Sequence, residues 1–381
     1  MFSENGIFLP RKRPLKVMVG SQFLNVDVGG AERYIREVCK RLEGDYDMDL
    51  DSLSSDTPAA GVLSPPCLHF MTTGFHPAWP KQTKAFLKRF MPDVIYAHHT
   101  VPGLTDVLIR AAGKLDIPTV LMYHSDVTGA DLLKKSIGLL YRHMVGKGSL
   151  TKCHTIFVSS PKYANASPFL KRFKTNCLVA PPGVDSRMMT GKRTAAKPYL
   201  LFVGKPGLKS KGFHNLSKAW RQLRKKWVNL ELVVIGRLNE HDRKWRQDGI
   251  RYLGYVSSRQ ALADCYASAA ITVLPSNSSE SFGMVLAEAL LAGCPVVGSN
   301  IGGIPALVED GLNGYLFSPG DVDELMTVLD RALRYQTELR DHISKKRKIY
   351  QARFSWDRTA EIVAGTLQLA AGCNAGAVHY P

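Results

Sequence analysis

No CxxC pair occurs anywhere in the chain, and no apolar run approaches the ~20 residues that a membrane-crossing helix needs. The first absence argues against a zinc ribbon. The second leaves only peripheral contact with a bilayer. The opening stretch MFSENGIFLPRKRPLKVMVG has no apolar core followed by a small-residue cleavage site, so no secretory leader is expected. Aromatic-rich RNA-binding signatures and zinc-finger spacings are missing too, so nucleic acid is not an expected partner. The seven cysteines, Cys39, Cys67, Cys153, Cys177, Cys265, Cys294 and Cys373, are odd in number and widely spaced. That pattern fits reduced thiols in a cytosolic protein. No internal repeat is visible.

What is present is globular. The chain has 381 residues, 45% of them hydrophobic and 22% charged, with a mean hydropathy of −0.10. One core seldom grows that large, so two domains are expected. The formal net charge of +17 either serves solubility or anticipates anionic partners, by charge alone phosphates, anionic lipid or nucleic acid.

Along the chain, KVMVGSQ (16–22) reads as a first strand. The glycine turn and apolar spacing of VGGAERYIREVCKRL follow, with Tyr34, Ile35, Val38 and Leu42 on one helical face. Short apolar strands are predicted at 93–97, 118–124, 155–159 and 177–180, with a helix near 104–115 between the first two. A polar, proline-terminated stretch at 190–198 is the linker candidate. The cycle restarts with strands at 199–204, 230–236, 270–275 and 295–298 and a helix near 212–226. Strands alternating with helices imply parallel sheets covered on both faces. The last segment, 354–370, has amphipathic helical spacing.

The segment ESFGMVLAEALLAG (280–293) carries the sharpest chemistry. A helix starting near Gly283 offers free amides and a positive dipole end to a phosphate. Glu288 lies five residues on, ~7–8 Å along the axis, the reach from a diphosphate to a ribose. Glu280, ahead of the helix, is placed to accept from sugar hydroxyls. One nucleotide sugar accounts for both acids. The bland alternative is a helix capped by Ser278, Ser279 or Ser281, with Glu288 on a solvated face. Lys205 and Lys211 follow a strand, where ligands of open parallel sheets bind, and their charges suit a departing diphosphate.

In this order and spacing the chain resembles the retaining glycosyltransferases of the GT-B fold, glycosyltransferase family 4. The resemblance rests on VGGAERYIREVCKRL, DVIYAHHTVPGL, VLMYHSD, APPGVD, the E-x7-E pair of SNSSESFGMVLAEALLAGCPVVGSNIGGIPALVEDGLNGYLFSPGD, and FSW near the end. It implies two Rossmann-like domains facing across a deep cleft: an acceptor-side domain at 1–194, a nucleotide-sugar domain at 195–353, and a helix and tail at 354–381 packing back on the first. It implies that Glu280 binds the transferred sugar, Glu288 the ribose, and Lys205 and Lys211 the diphosphate. Phe282, Gly283 and Met284 would lend backbone to sugar and diphosphate. Gly29 and Gly30 would approach the phosphate, His124 would sit by the reacting carbon, and Tyr255 and Val256 would lie near the base. The sequence departs from the family pattern in three places. Lys205 stands where arginine is usual and lacks its two-pronged fork. GRLNE after Ile235 lacks a second glycine, and Ala306 replaces a common glutamate.

Other signals are weaker. DYDMDLD (45–51) imitates a metal-binding DxD, but strict alternation reads as a half-exposed strand, and hard cations need converging oxygens. His98 and His99 end a strand, and adjacent strand residues point to opposite faces, so at most one should meet substrate. Basic amphipathic stretches at 131–152 and 81–90 suit an anionic membrane surface, or else are helices packing on their own sheet. The expected function is transfer of a hexosyl unit from a UDP- or GDP-sugar to a glycan or lipid-linked acceptor, with no cofactor and no metal, in the cytoplasm or at the inner face of the cell membrane. A sugar-nucleotide epimerase, a phosphorylase, or a non-catalytic membrane or nucleic-acid binder are the alternatives.

Overall fold

The computed structural model describes residues 13–22, 24, 29–55, 63–70, 73–99, 102–126, 136, 138, 140–141, 146–237, 249–278 and 280–372. The chain divides into two compact units. The first takes 1–159, 167–181 and 356–381, and the second takes 160–166 and 182–355. Both are built on parallel sheets, as the alternation of strands and helices predicts.

In the first unit the strands are β1 (Leu15–Gly20), β2 (Met48–Leu53), a two-stranded antiparallel hairpin of β3 (Leu68–Phe70) and β4 (Thr73–Phe75), then β5 (Val94–His99), β6 (Thr119–Tyr123), β7 (Thr155–Val158) and β8 (Cys177–Val179). The six-stranded sheet runs in the order β2-β1-β5-β6-β7-β8, with every pair parallel. All six residues of β5 are buried, as expected of a central strand covered on both faces. The helix Gly30–Asp45 buries Tyr34, Ile35, Val38 and Leu42, the stripe its sequence predicts. Its last residue is Asp45, so DYDMDLD is only partly strand. Asp47 turns the chain with φ +51, and the extended residues begin at Met48. The turn is needed because helix and strand join here without a loop.

The helix Trp356–Ala370 belongs to the first unit although it ends the described chain. It packs on the helix Gly30–Asp45 and on β5 and β6. It buries Trp356, Thr359, Ala360, Val363, Ala364 and Leu367, spaced three and four apart as one helical face must be, and Gly365 and Thr366 beside them. Arg41 clamps its first turn through Asp357 at 2.6 Å.

The second unit holds β9 (Tyr199–Val203), β10 (Glu231–Ile235), β11 (Ile250–Gly254), β12 (Ile271–Leu274), β13 (Val296–Ser299) and β14 (Gly314–Phe317). Their order is β11-β10-β9-β12-β13-β14, again all parallel. Alternate residues of β9 serve different cores. Tyr199 and Leu201 join the helix Met284–Leu291, and Leu200 and Phe202 join Phe213 and Trp220 of the helix Phe213–Leu223. The edge strands β11 and β14 have no counterpart in the sequence reading. The first alternates partly buried and exposed residues, and the second is a four-residue run opened by glycine. The polar stretch 190–198 lies in this unit, and part of it is strapped to the helix Arg259–Ser268. The Lys192 N–H donates to Asp264 at 2.8 Å and the Thr194 N–H to Ser268 at 2.9 Å.

Val363 is fully buried in the first unit, so Val363→Asp would place an unpaired carboxylate in that core. The expected loss is about 4 kcal/mol, read as an earlier urea unfolding transition of the first unit by hydrogen exchange.

Candidate active site

In the second sheet the chain winds from β9 outward to β10 and β11, then returns to β12 on the other side of β9. Loops leaving the carboxyl ends of β9 and β12 therefore part in opposite directions, the arrangement that opens a ligand site in parallel sheets. The two loops run over 204–212 and 275–283. They bring Lys211 and Glu280 together, Nζ to Oε2 at 2.8 Å. The buried Ser276 hydroxyl donates to the same carboxylate oxygen at 3.3 Å.

Backbone contacts fix both partners. Gly212 has φ +65, and a Cβ there would stand 1.7 Å from the Pro275 carbonyl oxygen, so only glycine fits. The Asn277 N–H donates to the Ser210 carbonyl at 2.8 Å, and its side-chain amide donates to the Lys209 carbonyl at 3.1 Å. On the far side of Glu280, the Gly303 N–H donates to the Glu280 carbonyl at 2.7 Å. A Cβ on Gly303 would meet the Ser281 carbonyl oxygen at 2.0 Å.

The helix Met284–Leu291 starts from Gly283, which adopts φ +94 and has no side-chain cap. The N-cap position is thus held by glycine and not by a serine. Its first amides have no partner within the helix, and they carry the positive end of its dipole. Phe282 is buried edge-on against Phe354 at 6.0 Å, so its side chain anchors the turn and only its backbone is available to a ligand. Met284 is half-buried against the same core. Glu288 is buried and accepts from the Tyr266 hydroxyl at 2.8 Å. The solvated-face reading of Glu288 is thereby overturned.

Lys205 is exposed at the start of the loop after β9. Tyr255, just past β11, is 60% exposed. The Arg237 guanidinium, just past β10, lies over its ring at 5.3 Å. Val256 is partly buried against the core of the second unit. Residues 238–240 of the GRLNE loop, and Ser279, lie outside the described residues.

In the first unit, Gly29 is the extended N-cap of the helix Gly30–Asp45, with φ −124 and ψ 162, and both glycines are exposed. A Cβ on Gly29 would collide with the Glu32 carboxylate. His124 directly follows β6 and is 9% exposed. Its Nε2 lies 3.1 Å from His98 Nδ1. Burial, with His99 nearby, pushes the His124 pKa down to about 3. Burial, with His124 nearby, holds His98 well below the usual histidine range. Both rings are therefore neutral at pH 7. His99 turns to another partner set: its Nε2 lies 2.9 Å from the Tyr141 hydroxyl, which donates to Asp106 at 2.9 Å. Both His98 and His99 are buried, with the alternation that neighbouring strand residues require.

Sequence reasoning brought Lys211, Glu280, Gly283 and Glu288 to one site but missed their supports. Tyr266 behind Glu288, Ser276 behind Glu280, and Gly303 under the loop carry no local signature. Tyr266 and Gly303 are recognisable only through contacts with residues distant in the chain, and Ser276 only through the fold of its own loop, four residues before Glu280. Of the four acids in DYDMDLD, Asp45 ends a helix, Asp47 turns, and Asp49 and Asp51 lie on β2. No group of three or more His, Cys, Asp or Glu converges as a metal site among the described residues.

Gly212→Ala should force the loop carrying Lys211 away from Pro275. We expect a loss of about 1–3 kcal/mol from the strained backbone, measured as a lower thermal midpoint relative to wild type.

Two family models match the chain: "Glycosyltransferase Family 4" over residues 28–187 and "Glycosyl transferases group 1" over residues 190–349. Among curated relatives, the sulfoquinovosyl transferase SQD2 of Arabidopsis thaliana is 26% identical over 78% of this chain, which spans 60% of that protein's length. A D-inositol 3-phosphate glycosyltransferase of Geodermatophilus obscurus is 26% identical over 91% of this chain and 86% of its own. Among solved structures, that of Anabaena HepE in complex with UDP and glucose superposes with a TM-score of 0.67 at 17% identity, covering 93% of this chain and all of that one. With the two parallel sheets and these matches together, the chain belongs to the glycosyltransferases of family 4 and group 1, on a GT-B fold.

Proposed function

We propose that the chain transfers a hexosyl unit from a nucleotide-diphosphate sugar, UDP- or GDP-linked, to a glycan or lipid-linked acceptor, with retention and without a metal. The observation that carries this reading is the Lys211–Glu280 pair beside the open helix start at Gly283, with Glu288 buried one turn and more inside. A diphosphate resting on the amides at Met284 draws Lys211 and Lys205 to its oxygens. Glu280 is then released to accept from hydroxyls of the transferred sugar. Glu288, oriented by Tyr266, accepts from the ribose hydroxyls. Gly29 and Gly30 allow backbone approach to the phosphate, His124 meets the sugar, and Tyr255 and Val256 border the base. The HepE complex with UDP and glucose supports a donor of this class.

In this reading the acceptor hydroxyl attacks the anomeric carbon from the side on which the diphosphate departs. The bond from that carbon to the phosphate oxygen breaks, and the leaving oxygen takes the hydroxyl proton. The protein supplies position and positive charge. Glu280→Gln should lower kcat by roughly 10²–10³ with little change in thermal midpoint; unchanged turnover would remove Glu280 from the site. Labelled UDP- and GDP-sugars should be consumed equally with and without EDTA, and activity lost on chelation would defeat the metal-free part.

A lipid-linked acceptor fits one surface of the first unit. The helix Trp79–Phe90 buries Trp79, Thr83, Phe86 and Leu87 but exposes Lys81, Lys84, Lys88 and Arg89. The nearby hairpin exposes Leu68 and Phe75. Much of the second basic stretch, 131–152, lies outside the described residues. Among the described residues no helix is long and apolar enough to cross a membrane. We infer peripheral attachment to an anionic, cytoplasm-facing membrane surface. Sedimentation with phosphatidylserine vesicles should be strong at low salt and weak at high salt. Binding at neither would discard the attachment.

A further inference from the structure

The catalytic reading above uses His124 and leaves its buried neighbour unexplained. His98 is fully buried on β5, one strand away from β6, which His124 directly follows. The register pairs His98 with Met122, so His124, two residues further on, projects to the same face of the sheet. The two rings lie 5.3 Å apart and 24° from parallel. Tyr34 packs edge-on against both, at 5.4 Å from His124 and 6.4 Å from His98. Tyr34 is in turn fixed by Trp356 at 5.8 Å and by donating its hydroxyl to the Ala180 carbonyl at 3.3 Å. Tyr96 closes on His98 at 4.2 Å. The backbone is tied as well: the Thr105 hydroxyl donates to the His98 carbonyl at 2.9 Å, and the His124 N–H donates to the His99 carbonyl at 3.1 Å. Neither ring can turn without disturbing several others.

One ring nitrogen argues for one direction of the bond between them. His98 Nε2 is buried with no partner among the described residues. If the proton of His98 sat there, a buried N–H would lack an acceptor, and orphaned buried N–H groups are the rarer kind of unsatisfied group. The proton therefore belongs on His98 Nδ1, which donates to His124 Nε2. The hydrogen bond made by one nitrogen of a histidine sets the protonation of the other. His124 is left with its proton on Nδ1, the nitrogen that His98 does not engage.

The geometry points to His98 as a positioning residue that locks His124 in the Nδ1–H tautomer, so that it presents a hydrogen-bond donor to an oxygen of the bound sugar. This rests on the proposal that His124 meets the donor sugar. The geometric half of the claim stands within the first unit alone. Neither histidine passes a proton in this role, and the chemistry of transfer is unchanged.

The test separates the two halves. In protein labelled with 15N-histidine, the ring shifts of His124 at pH 7 should report a single Nδ1–H tautomer. His98→Asn, whose amide nitrogen can stand where Nδ1 stood, should retain it, and His98→Phe should not. In transfer assays His98→Phe should lower kcat at least about tenfold with donor KM little changed, and His98→Asn should restore most of it. In a His124→Ala background, His98→Phe should add no further loss, as expected of residues acting as one unit. An Nε2–H or mixed tautomer in the wild type overturns the inference without requiring any variant to fold. So do equal losses in His98→Phe and His98→Asn. Absence of transfer by the wild type with every nucleotide sugar would instead defeat the catalytic reading, and the ring shifts would still decide the role of His98 in holding His124.

Discussion

The contact of Gly212 with the Pro275 carbonyl is the constraint on which the second unit's site depends. A side chain at residue 212 would occupy the carbonyl oxygen. With glycine there, the loops after β9 and β12 close on each other, and Asn277 bonds both Ser210 and Lys209. That closure sets Lys211 on Glu280. The ion pair is a consequence of backbone packing more than its cause, since a half-exposed pair contributes little by itself, roughly 0–1 kcal/mol. Its meaning is positional: a cation and an anion are held side by side at the carboxyl end of the sheet.

Both units bury polar groups that a merely stable fold would avoid. Glu288 in the second is buried against the Tyr266 hydroxyl. His98 and His124 in the first are buried, neutral and bonded to each other. Buried polar groups need partners, and the partners supplied also fix orientation. Tyr266 orients the Glu288 carboxylate from behind. His98 leaves His124 with one nitrogen uncommitted.

Much of this was legible before any coordinate. The stripe Tyr34, Ile35, Val38 and Leu42 marks its helix because 3.6-residue periodicity is local. The strands β5, β9, β10 and β12 announce themselves as short apolar runs. The edge strands β11 and β14 do not, because β11 alternates partly buried and exposed residues and β14 opens on a glycine inside a turn-like stretch. The acids of DYDMDLD misplace a strand start by three residues, because the helix before it runs through Gly44 to Asp45 and the chain turns at Asp47 before extending.

The alternation of strand and helix, the spacing of Glu280 and Glu288, and the lysines after a strand are all written in residue order, since each is a pattern over a few neighbouring residues. Only the tertiary structure decided that Lys211 reaches Glu280 across 69 residues of chain, that Tyr266 backs Glu288, and that His98, and not its neighbour His99, pairs with His124. These depend on strand order and register, which are set by the packing of whole sheets and leave no trace in local pattern.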